Sequence, residues 1–377
     1  MARPKIAFVI GTRPDAIKSA PVILEFQRYP ELCQVQVLST GQHREMLNQV
    51  LEVFGINPDI NLDIMTSGQS LTTLSSRILQ GLGDAMEELK PDYLMAQGDT
   101  TTTFMAGLAS FYRQIPFGHI EAGLRTDTIW NPFPEEFNRR AVGLFAAHHF
   151  APTQESAQAL LAERIPAETV FVTGNSGIDA VQAVAAKSSR EWFPEIDGRI
   201  VLLTTHRREN WGEPQRRIAN AAHRLVQTHE DIHLVVPMHL NPDVRATLRE
   251  VLDGHDRIHL IEPPDYLDFV PLMRRANLIL TDSGGIQEEA PSFGKPVLIL
   301  RDTTERPEGV SAGVAKLIGT EEDRIFDEAT LLLANTLNYE IMAQARSPYG
   351  DGRTSQRIRY LVLRALGLES PPEPLWI

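Results

Sequence analysis

The chain has 377 residues, a formal net charge of −13 and one cysteine; 42% of its residues are hydrophobic and 23% are charged. At roughly 150 residues per domain, this length predicts two or three domains, each with its own core. The acidic charge disfavours non-specific binding to nucleic acid or to an anionic membrane surface. The single Cys33 excludes an intrachain disulfide and a cysteine-based metal site. No apolar run approaches the ~20 residues of a membrane helix, so we expect a cytoplasmic protein with no membrane or nucleic-acid partner.

Apolar runs of strand length alternate with helical patterns through the first half of the chain. Strands are predicted at 6–10, 35–38, 92–96, 117–120, 149–151 and 170–172. Among the helices between them, one opens at Asp15 and ends or restarts at Pro21, and another begins with Pro134 at its first position. Such alternation is typical of a mostly parallel sheet with helices on both faces.

The alternation starts again after a polar, irregular stretch at about 187–199. Strands are predicted at 200–204, 232–236, 258–261, 278–280 and 297–300, and helices at about 215–228, 243–252, 265–275 and 285–293. We therefore predict an α/β protein with two Rossmann-like doubly wound domains facing across a cleft. The expected boundaries are 1–176 for the N-terminal domain, 177–353 for the C-terminal domain, and 354–377 for a C-terminal helix that returns to the N-terminal domain.

One strand–turn–helix segment carries the clearest signal for ligand binding. The predicted strand 278–280 ends at a turn of small residues, 282–285, and a helix begins at once after it. Free backbone N–H groups and the positive end of the helix dipole converge at such a turn and favour an anion, most often phosphate. Arg301 and Arg306 follow the next strand and so emerge at the same edge of the sheet. We expect a phosphate or diphosphate site here; an ordinary strand-to-helix turn is the structural alternative.

Ionisable side chains at other strand ends are candidates for acid–base chemistry beside a diphosphate, namely Asp99, Glu121, Glu135 and His206. Asp99 is also compatible with a helix cap, and Glu121 with an ion pair to Arg125. Glu135 is compatible with a helix-dipole partner, and His206 with a solvated basic face.

Metal and cofactor motifs are missing from the sequence. No histidine spacing matches a zinc site, and no Asp-x-Asp pattern suggests a diphosphate held by metal. The segment GTRPDAIK is not a dinucleotide fingerprint. We therefore expect no metal and no cofactor. The residues alone lead to a protein that holds a nucleoside diphosphate compound, as a glycosyltransferase does, or an enzyme that acts on the sugar of a sugar nucleotide.

Segments along the whole chain resemble the non-hydrolysing UDP-N-acetylglucosamine 2-epimerase family. They are GTRPDAIK (11–18), GQHREML (41–47), GDTTTT (98–103), GHIEAGLRT (118–126), FPEEFNRR (133–140), HRREN (206–210), HLNPDVR (239–245), TDSGGIQEEAPSFGKPV (281–297), RDTTERPE (301–308) and SPYGDG (347–352). The resemblance implies a GT-B-type glycosyltransferase-like fold and a homodimer. It also implies reversible conversion of UDP-GlcNAc to UDP-ManNAc, for bacterial surface polysaccharide synthesis, by elimination of UDP to 2-acetamidoglucal and re-addition.

The resemblance also implies roles for individual residues. The catalytic group would be Asp99, Glu121, Glu135 and His206, without an assignment of the carboxylate that removes the C2 proton. The diphosphate would be bound by His206 together with Arg13, Lys18, Ser283, Gly284, Gly285 and Arg306, the ribose by Glu289, and the uracil by Phe269. A second UDP-GlcNAc, an allosteric activator, would be bound by Gln42, His43, Gln69, Glu136, Arg207 and His239.

Three positions depart from the family pattern: Asp15 replaces a glutamate, Thr205 replaces a glycine, and Glu262-Pro263-Pro264 replaces Asp-Pro-Gln. These changes bear on local contacts and on the details of uridine binding. Three other functions are compatible with the sequence. They are 2-epimerisation of a modified UDP-diacetamido sugar, a retaining glycosyltransferase reaction, and non-catalytic sensing of a sugar nucleotide.

Overall fold

Strands and helices alternate through most of the computed structural model, which describes residues 3–41, 44–64, 66 and 68–376. From β1 to α7 the elements are β1 Lys5–Ile10, α1 Arg13–Gln27, β2 Gln34–Ser39, α2 Arg44–Phe54, β3 Ile60–Asn61, α3 Leu71–Leu89, β4 Tyr93–Gln97, α4 Thr101–Tyr112, β5 Phe117–Ile120, α5 Glu135–Gly143, β6 His148–Ala151, α6 Gln154–Ala162, β7 Val170–Val172 and α7 Ser176–Lys187. They continue as β8 Arg199–Thr204, α8 Glu213–Thr228, β9 Ile232–Pro237, α9 Pro242–Leu252, β10 Ile258–Ile261, α10 Tyr266–Arg275, β11 Leu278–Thr281, α11 Gly284–Glu289, β12 Val297–Ile299, α12 Pro307–Ser311, β13 Ala315–Leu317, α13 Glu322–Ala334, α14 Thr336–Gln344 and α15 Thr354–Ala365.

The chain divides into two units, each built around its own sheet. The first unit comprises Met1–Ala180 and Tyr349–Ile377, and the second comprises Val181–Pro348. The first sheet has seven strands in the order β3-β2-β1-β4-β5-β6-β7, and the second has six in the order β10-β9-β8-β11-β12-β13. All pairings within both sheets are parallel. The prediction of two doubly wound parallel-sheet α/β domains is therefore confirmed.

Each sheet reverses its winding at one point. In the first unit β1 lies between β2 and β4, and in the second unit β8 lies between β9 and β11. A crevice opens at the carboxyl ends of the two strands that flank such a switch point, and open α/β sheets bind their ligands there. The loops after β1 and β4, and those after β8 and β11, are therefore the places to look for function.

Two local predictions from the sequence are wrong. Helix α1 does not end at Pro21 but continues through this buried residue to Gln27. A proline inside a helix costs about 3 kcal/mol, and the packing of the buried face offsets this cost. Pro134 is not the first residue of α5 but its N-cap, and the helix starts at Glu135.

Arginines of α15 bind the C-terminal segment to the rest of the first unit through ion pairs and hydrogen bonds. Arg359, which is 2% exposed, donates from Nε to Glu25 of α1 at 3.0 Å. Arg357 contacts Asp351 at 2.7 Å, and its guanidinium also donates to the carbonyl of Thr173. No helix among the described residues is long and apolar enough to cross a membrane.

Candidate active site

The switch point of the first unit brings the loop after β1 against the start of α4. An added Cβ at Gly11 would lie 2.3 Å from Oγ1 of Thr102, so only glycine permits this approach. Thr12 then caps α1 and accepts a hydrogen bond from the N–H of Asp15. The predicted diphosphate ligand Arg13 is half-buried in the first turn of α1, and its side chain has no hydrogen bond or ion pair with any residue that the structure describes. A cation without a protein partner at a helix N-terminus is suited to an anionic ligand.

Glu121 follows β5 and is held by two donors. The ammonium group of Lys18, on α1, and the side-chain amide of Gln97, at the end of β4, both contact its carboxylate. The sequence alternative of a pair between Glu121 and Arg125 is wrong, because Arg125 pairs with Glu163 at 2.6 Å. Glu121 has a φ of +64°, a left-handed conformation that costs a non-glycine residue of the order of 1 kcal/mol or more. Such strained residues cluster at functional sites.

Asp99 lies in the loop between β4 and α4, at the other side of the same switch point. Its side chain is 26% exposed and forms an ion pair with Arg139 of α5. The alternative role of Asp99 as the cap of α4 is wrong, because the hydroxyl of Thr100 accepts from the N–H of Thr103 and so caps the helix. The carboxylate of Asp99 is therefore accessible to a ligand, although one of its oxygens is bound by Arg139.

The two glutamates at the start of α5 have different surroundings. Glu135 is half-buried, and its side chain has no hydrogen bond or ion pair with the described part of the chain. Glu136 has no exposed surface, and its two oxygens pair with Arg139 at 2.9 Å and with Arg140 at 2.7 Å. Arg139 thus connects Glu136 to Asp99 through one guanidinium group.

In the second unit, His206 follows β8. It contacts a fully buried aspartate, Asp282, which follows β11. Nδ1 of His206 lies 3.0 Å from Asp282, and the N–H groups of His206 and Arg207 donate to the same carboxylate at 3.0–3.1 Å. The side chains of Thr205 and Asn210 add two further hydrogen bonds. Burial acts to raise the pKa of Asp282, but the hydrogen bond and charge of His206 and the backbone donors hold it below its ordinary value.

The contact between Asp282 and His206 defines what the histidine can do. Nδ1 is directed at the carboxylate, which leaves Nε2 for a ligand. The arrangement suits an acid or a cationic contact beside a departing phosphate oxygen.

The glycine turn after β11 has the geometry expected of an anion site. Ser283 precedes α11, Gly284 is half-buried and Gly285 is exposed, and the side chain of Ser283 makes no capping hydrogen bond. The first N–H groups of a helix have no intrahelical partner and remain available to an anion. Arg306, at the N-terminus of α12, contacts Glu288 of α11. Arg301 is 7% exposed and lies between Glu209 at 2.6 Å and Glu305 at 2.5 Å.

Two residues predicted to bind the nucleoside lie near the same turn. Glu289 is the last residue of α11, and it accepts a hydrogen bond of 3.4 Å from the hydroxyl of Tyr266, the first residue of α10. Phe269, half-buried, follows one turn later on α10. A carboxylate and an aromatic ring are the groups that ribose hydroxyls and a base require.

The residues predicted to bind a second nucleotide are distributed over both units. In the second unit the ring of His239, after β9, lies 6.1 Å from the ring of His206, and Arg207 contacts Glu305 at 3.5 Å. In the first unit Gln69 accepts from Arg77 at 3.3 Å. Gln42 and His43 lie outside the described residues.

Several side chains with a role at these sites were not predicted from the sequence: Gln97, Asn138, Arg139 and Asp282. Asp282 lies beside His206 because β8 and β11 are neighbours, with Thr204 opposite Thr281. The two residues are far apart in the chain, and only a correct strand order would have revealed the pair. No group of three or more potential metal ligands occurs among the described residues.

Comparison with known proteins identifies the family. A family model for UDP-N-acetylglucosamine 2-epimerase matches residues 25–363. The UDP-N-acetylglucosamine 2-epimerase of Bacillus subtilis strain 168 is 49% identical over 360 residues, which are 95% of this chain and 94% of that protein. The crystal structure of the UDP-GlcNAc 2-epimerase from Neisseria meningitidis bound to UDP-GlcNAc has a TM-score of 0.85 at 47% identity, covering 96% of this chain and 100% of that chain.

An archaeal structure extends the similarity to more distant sequences. The Methanocaldococcus jannaschii UDP-GlcNAc 2-epimerase in complex with UDP-GlcNAc and UDP has a TM-score of 0.75 at 30% identity, and the match covers 96% of this chain and 99% of that chain. The family predicted from the sequence motifs is therefore confirmed. This chain belongs to the UDP-N-acetylglucosamine 2-epimerase family.

Proposed function

We propose that the protein interconverts UDP-GlcNAc and UDP-ManNAc by eliminating UDP and adding it back. The observation that carries the proposal is the set of ionisable side chains at the carboxyl ends of strands in the two sheets. In the first unit Asp99 and Glu121 are acids held by Arg139 and Lys18, and in the second His206 rests on the buried Asp282. The names of the B. subtilis and N. meningitidis relatives supply the substrate.

The chemistry explains why such groups are needed. The hydrogen on C2 of the sugar is not next to a carbonyl group, so its direct removal would leave an unstabilised carbanion. When the C1–O bond breaks, the diphosphate leaves with the electron pair, a carboxylate takes the C2 proton, and a C1–C2 double bond forms. The products are 2-acetamidoglucal and UDP. A proton delivered to the other face of C2 and attack of UDP on C1 then give the epimer.

The predicted site residues supply two kinds of group for this reaction. Positive groups that are already in place stabilise the departing diphosphate, and we assign this role to Arg13, Lys18, His206, Arg306 and the turn 283–285. Asp99, Glu121 and Glu135 would act as acid or base at C2 and stabilise the positive charge that develops at C1. Glu289 and Phe269 would hold the ribose and the base.

One experiment separates this proposal from its competitors. The protein is incubated with UDP-GlcNAc in D2O, and deuterium at C2 is followed by NMR. We expect exchange at C2 together with formation of UDP-ManNAc. A retaining glycosyltransferase would need an acceptor and would leave C2 unlabelled, and a sensor would bind without turnover. Binding of UDP-GlcNAc without label or epimer would therefore contradict the proposal.

Regulation by a second UDP-GlcNAc is part of the same proposal. Arg207 and His239 lie beside His206, and Glu136 is linked to Asp99 through Arg139. A ligand that engages these residues would therefore act on groups next to the reaction. We expect UDP-ManNAc alone to be converted slowly and a small addition of UDP-GlcNAc to accelerate its conversion; a constant rate would contradict activation.

We further propose a homodimer, formed through α4 and α5. The exposed apolar side chains on and beside these helices include Phe111 at 59%, Tyr112 at 64%, Phe137 at 46% and Leu144 at 84% exposure. Large exposed apolar side chains on neighbouring helices favour association. A cytoplasmic location and a role in surface polysaccharide precursor synthesis stay predictions of the sequence resemblance.

A further inference from the structure

The loop that carries Asp99, residues 97–100, is held at every residue by a different side chain. Thr103 donates to the carbonyl of Gln97 at 2.6 Å, His119 to that of Gly98 at 2.7 Å, and Asn138 to that of Asp99 at 2.9 Å. In the fourth contact the loop residue is the donor: the hydroxyl of Thr100 donates to Oδ2 of Asp15 at 3.2 Å. The loop is therefore fixed by α4, β5, α5 and α1.

Asp15 differs from the other three residues because its carboxyl group connects two loops. It is 4% exposed, and its Oδ2 accepts from the backbone N–H of Thr12 at 3.2 Å as well as from Thr100. Thr12 belongs to the loop after β1 and Thr100 to the loop after β4. One buried oxygen thus joins the two loops that flank the switch point of the first unit.

The second oxygen of Asp15 lies against the residue that precedes Asp99. Gly98 has a φ of +79°, and an added Cβ at this position would lie 3.9 Å from Oδ1 of Asp15 and 3.7 Å from Oε2 of Glu121. The carboxyl groups of Asp15 and Glu121 therefore border the same side of Gly98. Asp15 supports the backbone from which Asp99 projects.

We propose that Asp15 is a positioning residue, which holds Thr100 and the backbone of Asp99 in place for the reaction without contacting the substrate itself. The inference rests on the proposed function for the role of Asp99 and on the contacts above for the role of Asp15. Burial raises the pKa of this carboxyl group to about 7, so its retention in the interior is costly. The same carboxyl group closes the capping box of α1 with Thr12, and its contact with Thr100 is the one that reaches the loop of Asp99.

Three variants test the proposal. Asp15→Ala removes the shared acceptor, and Thr100→Val removes the hydroxyl that it holds. We expect each to lower kcat at least tenfold while KM changes less than about threefold, because the substrate contacts remain. Asp15→Asn keeps an acceptor oxygen and should restore kcat to within about threefold of the wild type at pH 8. In the double variant Asp15→Ala/Thr100→Val, the fold-loss of kcat should be smaller than the product of the two single losses, because both changes remove the contact between Thr100 and Asp15. Each change also removes one contact of its own, the bond from the Thr12 N–H to Asp15 or the cap of α4.

A matched control comes from the same sheet. Oδ2 of Asp59 accepts from the backbone N–H of Val37 at 2.7 Å, and this residue lies at no site described above. Asp59→Ala therefore removes a carboxylate-to-backbone contact from an exposed residue of the same unit and should leave kcat within about twofold of the wild type. An equal loss in this control would show that general destabilisation explains the effect, and would overturn the proposal.

Hydrogen exchange of the backbone provides a second measurement, which does not depend on turnover. The N–H groups of residues 97–104 should exchange at least fivefold faster in Asp15→Ala than in the wild type, and Asp59→Ala should leave them unchanged. Unchanged exchange in Asp15→Ala would overturn the proposal, whatever the change in kcat. A wild-type protein without turnover would contradict the proposed function instead, and exchange would still decide whether Asp15 holds the loop.

Discussion

At the scale of single residues, the carboxylates proposed to be catalytic lead to the most direct prediction. Asp99→Asn, Glu121→Gln and Glu135→Gln each keep the shape of the side chain and remove its ability to exchange a proton. We expect each to reduce turnover of UDP-GlcNAc at least ~100-fold, the usual contribution of a general acid or base. Steady-state rates and C2 exchange in D2O measure the effect. The exposed Glu168, changed to Gln, serves as the control, and rates close to the wild type in all three variants would end the assignment.

The pair of His206 and Asp282 makes a separate prediction. In Asp282→Asn, an amide group would face hydrogen-bond donors from Thr205, His206 and Arg207, so at least one donor would lose its acceptor. The histidine ring would also face an uncharged amide in place of the carboxylate that orients it through Nδ1. We expect kcat to fall about 100-fold, as for a lost acid–base group, with a smaller change in KM. A variant with wild-type kcat would show that Asp282 serves the fold alone.

The same aspartate predicts how stability depends on pH. The pKa of Asp282 in the folded protein is below its ordinary value, so the ionised group is bound more favourably in the folded state than in the unfolded state. This stabilisation is fully present above pH ~4, the ordinary pKa of aspartate, and is lost as the pH falls through the lowered pKa. Between pH 5 and pH 3, urea unfolding should show a steeper loss of free energy in the wild type than in Asp282→Asn. Parallel losses would contradict this account.

The pKa of Asp15 is shifted in the opposite direction from that of Asp282, because burial raises it to about 7. As the pH falls through this value, the carboxylate takes up a proton and becomes a poorer acceptor for Thr12 and Thr100. Activity should therefore decline below pH 7, and Asp15→Asn should lose this part of the profile. Asp99, Glu121 and Lys18 border the same loop, so the comparison is made on kcat from pH 5 to 9 in both proteins. An identical profile in Asp15→Asn would exclude Asp15 as its source.

At the scale of elements, most strands follow from apolar runs in the sequence, whereas β3 and β13 were not predicted. β5, β7 and β10 begin and end where the apolar runs predict. β3 consists of Ile60 and Asn61, and β13 contains Lys316, so neither forms an apolar run, and both are defined by pairing with a neighbouring strand. The prediction for Pro21 failed because the packing of the buried face of α1 offsets the cost of a proline inside the helix. Pro134 lies one residue before the predicted position, as the N-cap of α5.

The sequence predicted the candidate-site residues that directly follow strands, but it did not predict the side chains that contact them. Residues such as Asp99 and Glu121 stand directly after strands, so a parallel sheet alone places them near a ligand. Their partners depend on which strands are neighbours. Arg139 reaches Asp99 from a helix 40 residues further along the chain, and Asp282 reaches His206 across 76 residues. Local sequence patterns carry no information on such pairs.

The close contact between the loop after β1 and helix α4 can be tested directly. A Cβ at Gly11 would lie 2.3 Å from Oγ1 and 2.7 Å from Cβ of Thr102. We expect Gly11→Ala to lower the free energy of unfolding by about 1–3 kcal/mol, as overpacking does, and to reduce kcat because Arg13 and Asp99 lie on either side of the contact. Thr102→Gly in the same chain removes the clashing atoms and should recover part of both losses. Thr102→Gly alone is the control, and no recovery would mean that the two residues do not meet.

At the scale of the whole molecule, the same construction occurs in both units. Each has a parallel sheet with one switch point; Asp99 and His206 follow a strand beside it, and Glu121 follows β5, the next strand of the first sheet. Their chemistry differs, however. Acids predominate in the first unit, with Asp99 and Glu121, whereas His206 and the glycine turn before α11 characterise the second. A reaction that must remove a proton from carbon and stabilise a leaving diphosphate requires both kinds of group.

Assembly of two copies is the last prediction. If the apolar surface on α4 and α5 forms the dimer contact, a charge placed there must be buried without a partner, which is strongly unfavourable. Leu144→Asp combined with Phe111→Lys should convert the protein from dimer to monomer in analytical ultracentrifugation. Leu337→Asp, at a side chain 65% exposed on α14 of the second unit, is the matched control and should leave the dimer intact. A dimer that survives the double change but dissociates in the control would place the contact on the second unit instead.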